Sequence, residues 1–93
     1  MEAVANQTSS EQLSERDRLV LEFERQWWKH EGSKEASIRE LFDMSPTRYY
    51  QILNALIDTQ AALEFDPMLV KRLRRMRAER QKARSARRLG MNR

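Results

Sequence analysis

Ninety-three residues suffice for one small domain with tails and are too few for two. The chain has no cysteine, which excludes a disulfide framework and thiolate metal sites, and 34% of it is charged, which limits the core to a modest size. Its net charge of +4 hides an asymmetry: residues 1–70 carry 7 Lys/Arg against 13 Asp/Glu, a balance of −6, whereas residues 71–93 carry 11 Lys/Arg against Glu79 alone, a balance of +10. An acidic body with a strongly basic tail points to a polyanionic partner held largely by the tail.

Residues 1–13 are polar and aperiodic, and read as a disordered lead. They hold neither a basic n-region nor an apolar core, and no apolar run in the chain approaches membrane-spanning length, so the expectation is a soluble cytoplasmic protein without a membrane partner. Ser14 followed by Asp17 resembles a capping arrangement and opens a helix from Glu15 to about His30. Leu19, Val20, Phe23 and Trp27 form its apolar stripe, and Gly32 is its expected left-handed cap. Adjacent residues on a helix point about 100° apart, so Trp27 takes a core position and Trp28 its edge or the surface. There, packing, base stacking and a dimer contact all remain open to Trp28. His30 is the only histidine, which leaves metal ligation without a second imidazole or a thiol; interaction with the last helical carbonyls accounts for it.

Residues 33–58 carry the strongest local signal. Ser33 is an N-cap, and Ile38, Leu41 and Phe42 follow at i, i+3 and i+4. Asp43, Met44 and Ser45 interrupt the stripe. Ser45 then caps a second helix with Pro46 at its first position, where the missing N–H is harmless. Tyr49, Ile52, Leu53 and Leu56 form its buried face. A helix, a tight turn and a second helix with complementary apolar faces is the sequence form of a helix-turn-helix. That burial leaves Ser45, Thr47, Arg48, Tyr50, Gln51 and Asn54 for a DNA groove: Arg pairs bidentately with guanine, Gln and Asn with adenine, and Thr meets the thymine methyl. Between Ser45 and Ile57 there is no Glu and no Lys, unlike an ordinary solvated face.

After Ile57 the sequence reads as a loop with a helical turn at most through Ala61, Ala62 and Leu63. Asp66-Pro67 restarts a helix, packed through Met68, Leu69, Leu73 and Met76. Beyond Met76 the apolar stripe gives out, and crowded like charges predict fraying in the absence of a partner, with Gly90 near the end of the tail. The cations Lys71, Arg72, Arg74, Arg75, Arg77, Arg80, Lys82, Arg84, Arg87 and Arg88 leave no sustained apolar side for a membrane surface and suit phosphate contact. Arg outnumbers Lys among them, which favours bidentate phosphate contact or minor-groove insertion. No Gly-rich phosphate loop, paired carboxylates or Ser/His/Asp set can be assembled, so no catalytic residue, metal or cofactor is expected.

The stretches FERQWWKHEGSKEASIRELFDMSPTRYYQILNALID and DPMLVKRLRRMRAERQKARSARR, roughly Phe23 to Arg88, resemble a small actinobacterial helix-turn-helix family catalogued as a domain of unknown function. Its members include a mycobacterial nucleoid-associated protein that binds DNA and influences transcription in connection with supercoiling. Separately, LFDMSPTRYYQI is similar to the helix-turn-helix of sigma-factor region four. That likeness implies packing roles for Ile38, Phe42, Met44, Tyr49 and Ile52, and DNA-facing ones for Ser45, Pro46, Thr47, Tyr50, Gln51 and Asn54. The sequence departs from the pattern at Arg39, where a small residue is usual, and at Asp43, which replaces a turn glycine; both bear on the interhelical angle.

The expected architecture is all-α: a compact helix-turn-helix with a three-helix core over residues 14–76, and a basic C-terminal helix extension over residues 77–93. The expected function is a nucleoid-associated or transcription-regulatory protein that binds double-stranded DNA in the cytoplasm, at the nucleoid. Thr47, Arg48, Gln51 and Asn54 read bases while the tail holds phosphates. Two other readings stay open: a module that docks a protein of the transcription machinery through its acidic, Trp-bearing first helix, and RNA or ribosome binding through the tail. A homodimer is compatible with the sequence, although no heptad seam demands one.

Overall fold

A computed structural model describes residues 13–91, with side chains through Arg87. Residues 1–12 of the polar lead and the Arg88 side chain lie outside the described residues, whereas Leu13, expected in that disordered lead, is half-buried against the core. Among the described residues the chain is all-α: α1 (Glu15–Gln26), a single 3-10 turn (Trp27–Lys29), α2 (Lys34–Phe42), α3 (Pro46–Leu56), α4 (Gln60–Phe65) and α5 (Pro67–Met91).

Each of these α-helices begins on a side chain suited to the task. The hydroxyls of Ser14, Ser33, Ser45 and Thr59 accept hydrogen bonds from the backbone N–H groups of Asp17, Ala36, Arg48 and Ala62, all at 3.0–3.1 Å. Asp66 does the same for Leu69 at 3.3 Å, ahead of Pro67. Such caps satisfy donors that the helix itself cannot, so five starts are encoded locally. The end of α2 is equally local. Asp43 takes a left-handed conformation (φ 54°) and returns its N–H to the Arg39 carbonyl at 3.0 Å. Asp tolerates this region better than most residues, so it replaces the usual turn glycine without opening the turn. Arg39 is exposed and the small buried residue of α2 is Ser37, so neither departure obstructs the corner between α2 and α3.

The core joins Val20, Leu21 and Phe23 of α1, Ile38 of α2, Tyr49, Leu53 and Leu56 of α3, and Ala62 of α4 to Leu69, Val70 and Leu73 of α5. Phe23, Phe42 and Tyr49 meet as an aromatic cluster with centroids 5.4–5.9 Å apart. Several sequence expectations shift here. Leu19 is half exposed and Leu21 takes its place, because the inward face of α1 is centred on Val20, Leu21 and Glu24. The helix stops at Gln26 rather than near His30; the 3-10 turn carries the chain on to Gly32, whose φ of 86° forms the reversal into α2. Leu41 is 52% exposed, so Ile38 and Phe42 alone hold the α2 stripe. The expected loop after Ile57 contains α4, capped by Thr59, with Ala62 fully buried. Met68 is 82% exposed and Met76 is also exposed, whereas Val70 is buried: α5 packs through Leu69, Val70 and Leu73.

Helix α5 is the long feature of the molecule. Its 25 residues run unbroken through residue 76 and span about 37 Å. The overall extents are 60 × 32 × 22 Å. Residues 78–87 are all exposed, so the second half projects from the body, yet it is helical to Met91 rather than frayed from Met76. High helix propensity of Arg, Ala, Gln and Lys outweighs the like-charge crowding there.

Candidate functional site

Helix α3 has an inner and an outer face. Ile52, expected on the buried side, is instead half-buried at the edge of a groove, because Tyr49, Leu53 and Leu56 centre the inner face away from it. Tyr49, Leu53 and Leu56 are buried, while Thr47, Arg48, Gln51 and Asn54 are exposed. At 100° per residue the last four cover one continuous outward face. The other two candidates on this segment are placed differently. Ser45 is exposed, but its hydroxyl is used as the α3 cap. Tyr50 is half-buried at the flank, edge-on to Tyr49 (5.2 Å) and beneath the Lys34 ammonium (5.2 Å).

A groove runs along each side of α3. On one side Arg48, Gln51, Ile52 and Ala55 face Arg16 and Asp17 of α1. On the other, Tyr50 and Asn54 face Lys34 and the Arg77, Arg80 and Arg84 side of α5. The helix is therefore a ridge of exposed polar side chains between two troughs that both contain cations. Sequence reasoning missed Arg16 and Lys34, because only tertiary packing brings them beside α3.

The basic residues of α5 fall into three groups. Arg74 and Arg77 are half-buried and committed to the fold. The Nε of Arg74 donates to the Ile57 carbonyl at 2.6 Å. Arg77 donates to the Asn54 carbonyl at 3.2 Å and grips both carboxylate oxygens of Asp58 at 2.8 and 3.3 Å. These two side chains cap the exposed carbonyls at the end of α3, where cations are favoured by the helix dipole. The Arg77 hydrogen bond, reinforced by the charges of Arg77 and Arg74, holds the Asp58 carboxyl below its ordinary value despite the opposing effect of burial. Arg80, Arg84 and Arg87 are exposed, the first two beside Asn54. Lys71, Arg72 and Arg75 line a separate groove with Arg25, Asp66, Met68 and Leu69, on roughly the opposite side of α5 from Val70 and Leu73. Lys82 is exposed and, by helical phase, belongs with this third group.

Beneath the site lies a buried polar network. Glu24 is 5% exposed, accepts the Tyr49 hydroxyl at 2.6 Å, and pairs with the Lys34 ammonium at 3.0 Å. Lys34 also lies 5.4 Å over the Trp27 ring, so α1, the start of α2, and α3 are tied by one set of charges. Burial, then the charge and hydrogen bond of Glu24, push the Tyr49 phenol far above its ordinary value, keeping it a donor. Glu24 falls four residues after Val20 and three before Trp27, on the apolar side of α1; a carboxylate at a core position was the available sequence signal for a buried cation partner.

Among the described residues, no helix is long and apolar enough to cross a membrane, and no group of three or more His, Cys, Asp or Glu is placed to hold a metal ion. His30 instead packs its ring 5.6 Å from Phe23. No curated protein and no solved structure matches the chain. A family model does: it covers residues 12–85, and so takes in α1 to α4 and most of α5. The chain belongs to that family, described as protein of unknown function DUF3263.

Proposed function

We propose that this chain binds duplex DNA as a nucleoid-associated or transcription-regulatory protein, with α2, the turn and α3 acting as a helix-turn-helix. In this mechanism α3 enters the major groove. Arg48, Gln51 and Asn54 supply the bidentate donor and acceptor groups that distinguish bases, and Thr47 supplies a methyl and hydroxyl contact. Arg80, Arg84 and Arg87 follow the phosphates beside Asn54, and Arg16 those on the other flank. Support comes above all from α3 itself, whose outward face carries only groups suited to base edges and lies between two cation-bearing troughs.

Duplex binding measured across a salt series tests this directly. These four phosphate contacts give a slope of log affinity against log salt of about −3.6. A slope shallower than about −2, or preferential competition by RNA, would overturn the mechanism. Gln51→Ala is expected to change base preference while leaving the slope intact.

A specific observation favours a second reading, contact with a protein of the transcription machinery. Leu19 and Leu41, each about half exposed, border a small cleft floored by Phe23 and Phe42 on α1 and α2. Replacing both leucines with lysine leaves duplex affinity unchanged if α3 is the DNA face. Loss of duplex binding in a folded double variant would move the interface to this side.

A further inference from the structure

Trp28 has no role in the duplex mechanism above. It is 58% exposed, in the 3-10 turn after α1, and lines a groove with Glu22, Arg25, Gln26 and Lys29. Arg25 also lines the groove formed by Lys71, Arg72 and Arg75 of α5, so its side chain borders both grooves. An open indole is thus placed at one end of a cationic track. Two acids temper the track without cancelling it: Glu22 beside the indole, and Asp66, which lies 3.7 Å from Arg25. The α5 part of this track faces roughly away from the surface of α5 that packs on α3.

We infer that this face binds single-stranded nucleic acid, with Trp28 stacking on an unpaired base and Arg25, Lys29, Arg72 and Arg75 holding the adjoining phosphates. The choice of ligand follows from the ring. In a duplex both faces of each interior base are covered by its neighbours, so an exposed indole gains no stacking partner there. An unpaired base offers a free π-face, and stacking of this kind tolerates any sequence while neighbouring cations track the backbone. The arginines at the track can add cation–π contact to the same bases.

The intact chain reports on itself, because its two tryptophans occupy different environments. Trp27 is half-buried against Lys34; Trp28 is open. Titration with oligothymidylate of about twelve nucleotides should quench indole emission, and Trp27→Phe should retain that quenching. Trp28→Ala should abolish it and weaken oligothymidylate binding about tenfold, with duplex affinity changed less than twofold. Arg72→Gln with Arg75→Gln should weaken the same ligand and flatten its salt slope by about 1.4. Oligouridylate in parallel separates an RNA ligand from a DNA one. The inference is overturned by absence of quenching, by Trp28→Ala binding oligothymidylate like the parent, or by equal losses on duplex and single strand. Protection of Trp28 only by a protein would overturn it too. Because duplex and single strand are measured separately, failure of one interface leaves the other standing.

Discussion

Replacing Arg80, Arg84 and Arg87 together with glutamine tests whether the outer cations of α5 bind phosphate while the inner ones build the fold. All three are exposed and beyond the last core residue of α5, Leu73, and glutamine is nearly as good a helix former as arginine. If each contacts one phosphate, the salt slope should fall in magnitude by about 2.7, three contacts at about 0.9 apiece. At roughly 0.15 M salt each released counterion contributes about a fivefold factor, so affinity should fall by about 150-fold. The loss should shrink towards nothing as salt approaches about 1 M. Fluorescence anisotropy with a labelled duplex at four salt concentrations provides both numbers, and a thermal melt confirms an unchanged fold. Arg77→Gln is the control. It removes the grip on Asp58 and the Asn54 carbonyl, so it should cost about 1 kcal/mol of stability and leave the slope nearly intact. An unchanged slope in the triple variant, or a slope change in Arg77→Gln as large as the triple's, would refute the division of labour along α5.

Further consequences concern the fold beneath the site. Tyr49→Phe removes the 2.6 Å hydrogen bond to buried Glu24 and should lower stability by about 2 kcal/mol, a fall in melting temperature of about 10 °C; an unchanged melt would show that the network contributes nothing. The same phenol has a sign in pH. Its native pKa is raised above the unfolded value of 10.0, so its contribution is complete below pH 10 and is lost as the pH rises further. The parent should lose stability above pH 10 more steeply than Tyr49→Phe, measured by denaturant unfolding at pH 9 and 11. Ser45→Ala should cost about 1 kcal/mol through the lost cap and shift duplex affinity only as far as α3 loosens; a large affinity loss with an unchanged melt would restore Ser45 as a direct contact. Gly32→Ala meets no neighbour within 4 Å, so its cost of about 1 kcal/mol in thermal or denaturant unfolding would come from the φ of 86° alone, and a neutral result would show that the reversal relaxes.

Four of the five helix starts, at Ser14, Ser33, Ser45 and Asp66, were legible because each is a local event: one hydroxyl or carboxylate, one N–H three residues on. The inner and outer sides of α3 were legible for a similar reason, since Tyr49, Leu53 and Leu56 repeat at helical spacing and the remaining positions follow by geometry. What the sequence concealed depends on distance in the chain. Nothing near Lys34 announces Glu24, ten residues earlier, as its partner. Nothing near Arg74 or Arg77 distinguishes them from Arg80 and Arg84; only the end of α3 arriving beside them turns two members of an arginine series into structural clamps. Leu19 and Met68 misled because helical periodicity fixes spacing but leaves the azimuth of the buried stripe free by one residue. Neighbouring helices settle that azimuth. The short α4 was hidden by its length, six residues being too few for a periodic pattern.

The unbroken course of α5 from Leu69 to Arg87 makes it a shaft as well as a surface. Its inner end is keyed into the body by Leu69, Val70 and Leu73, and its outer end carries Arg80 and Arg84 on a continuation of that side. No hinge intervenes, so the compass bearing of the outer arginines is fixed by the packing of residues several turns away. One alanine inserted after Ala78 would turn every later cation by about 100° and advance it by about 1.5 Å, while disturbing no core contact. Four inserted residues would bring the bearing nearly back and displace the arginines by about 6 Å. On the proposed mechanism, the phase of the helix would set whether a phosphate strand beside Asn54 meets guanidinium groups or the alanines between them.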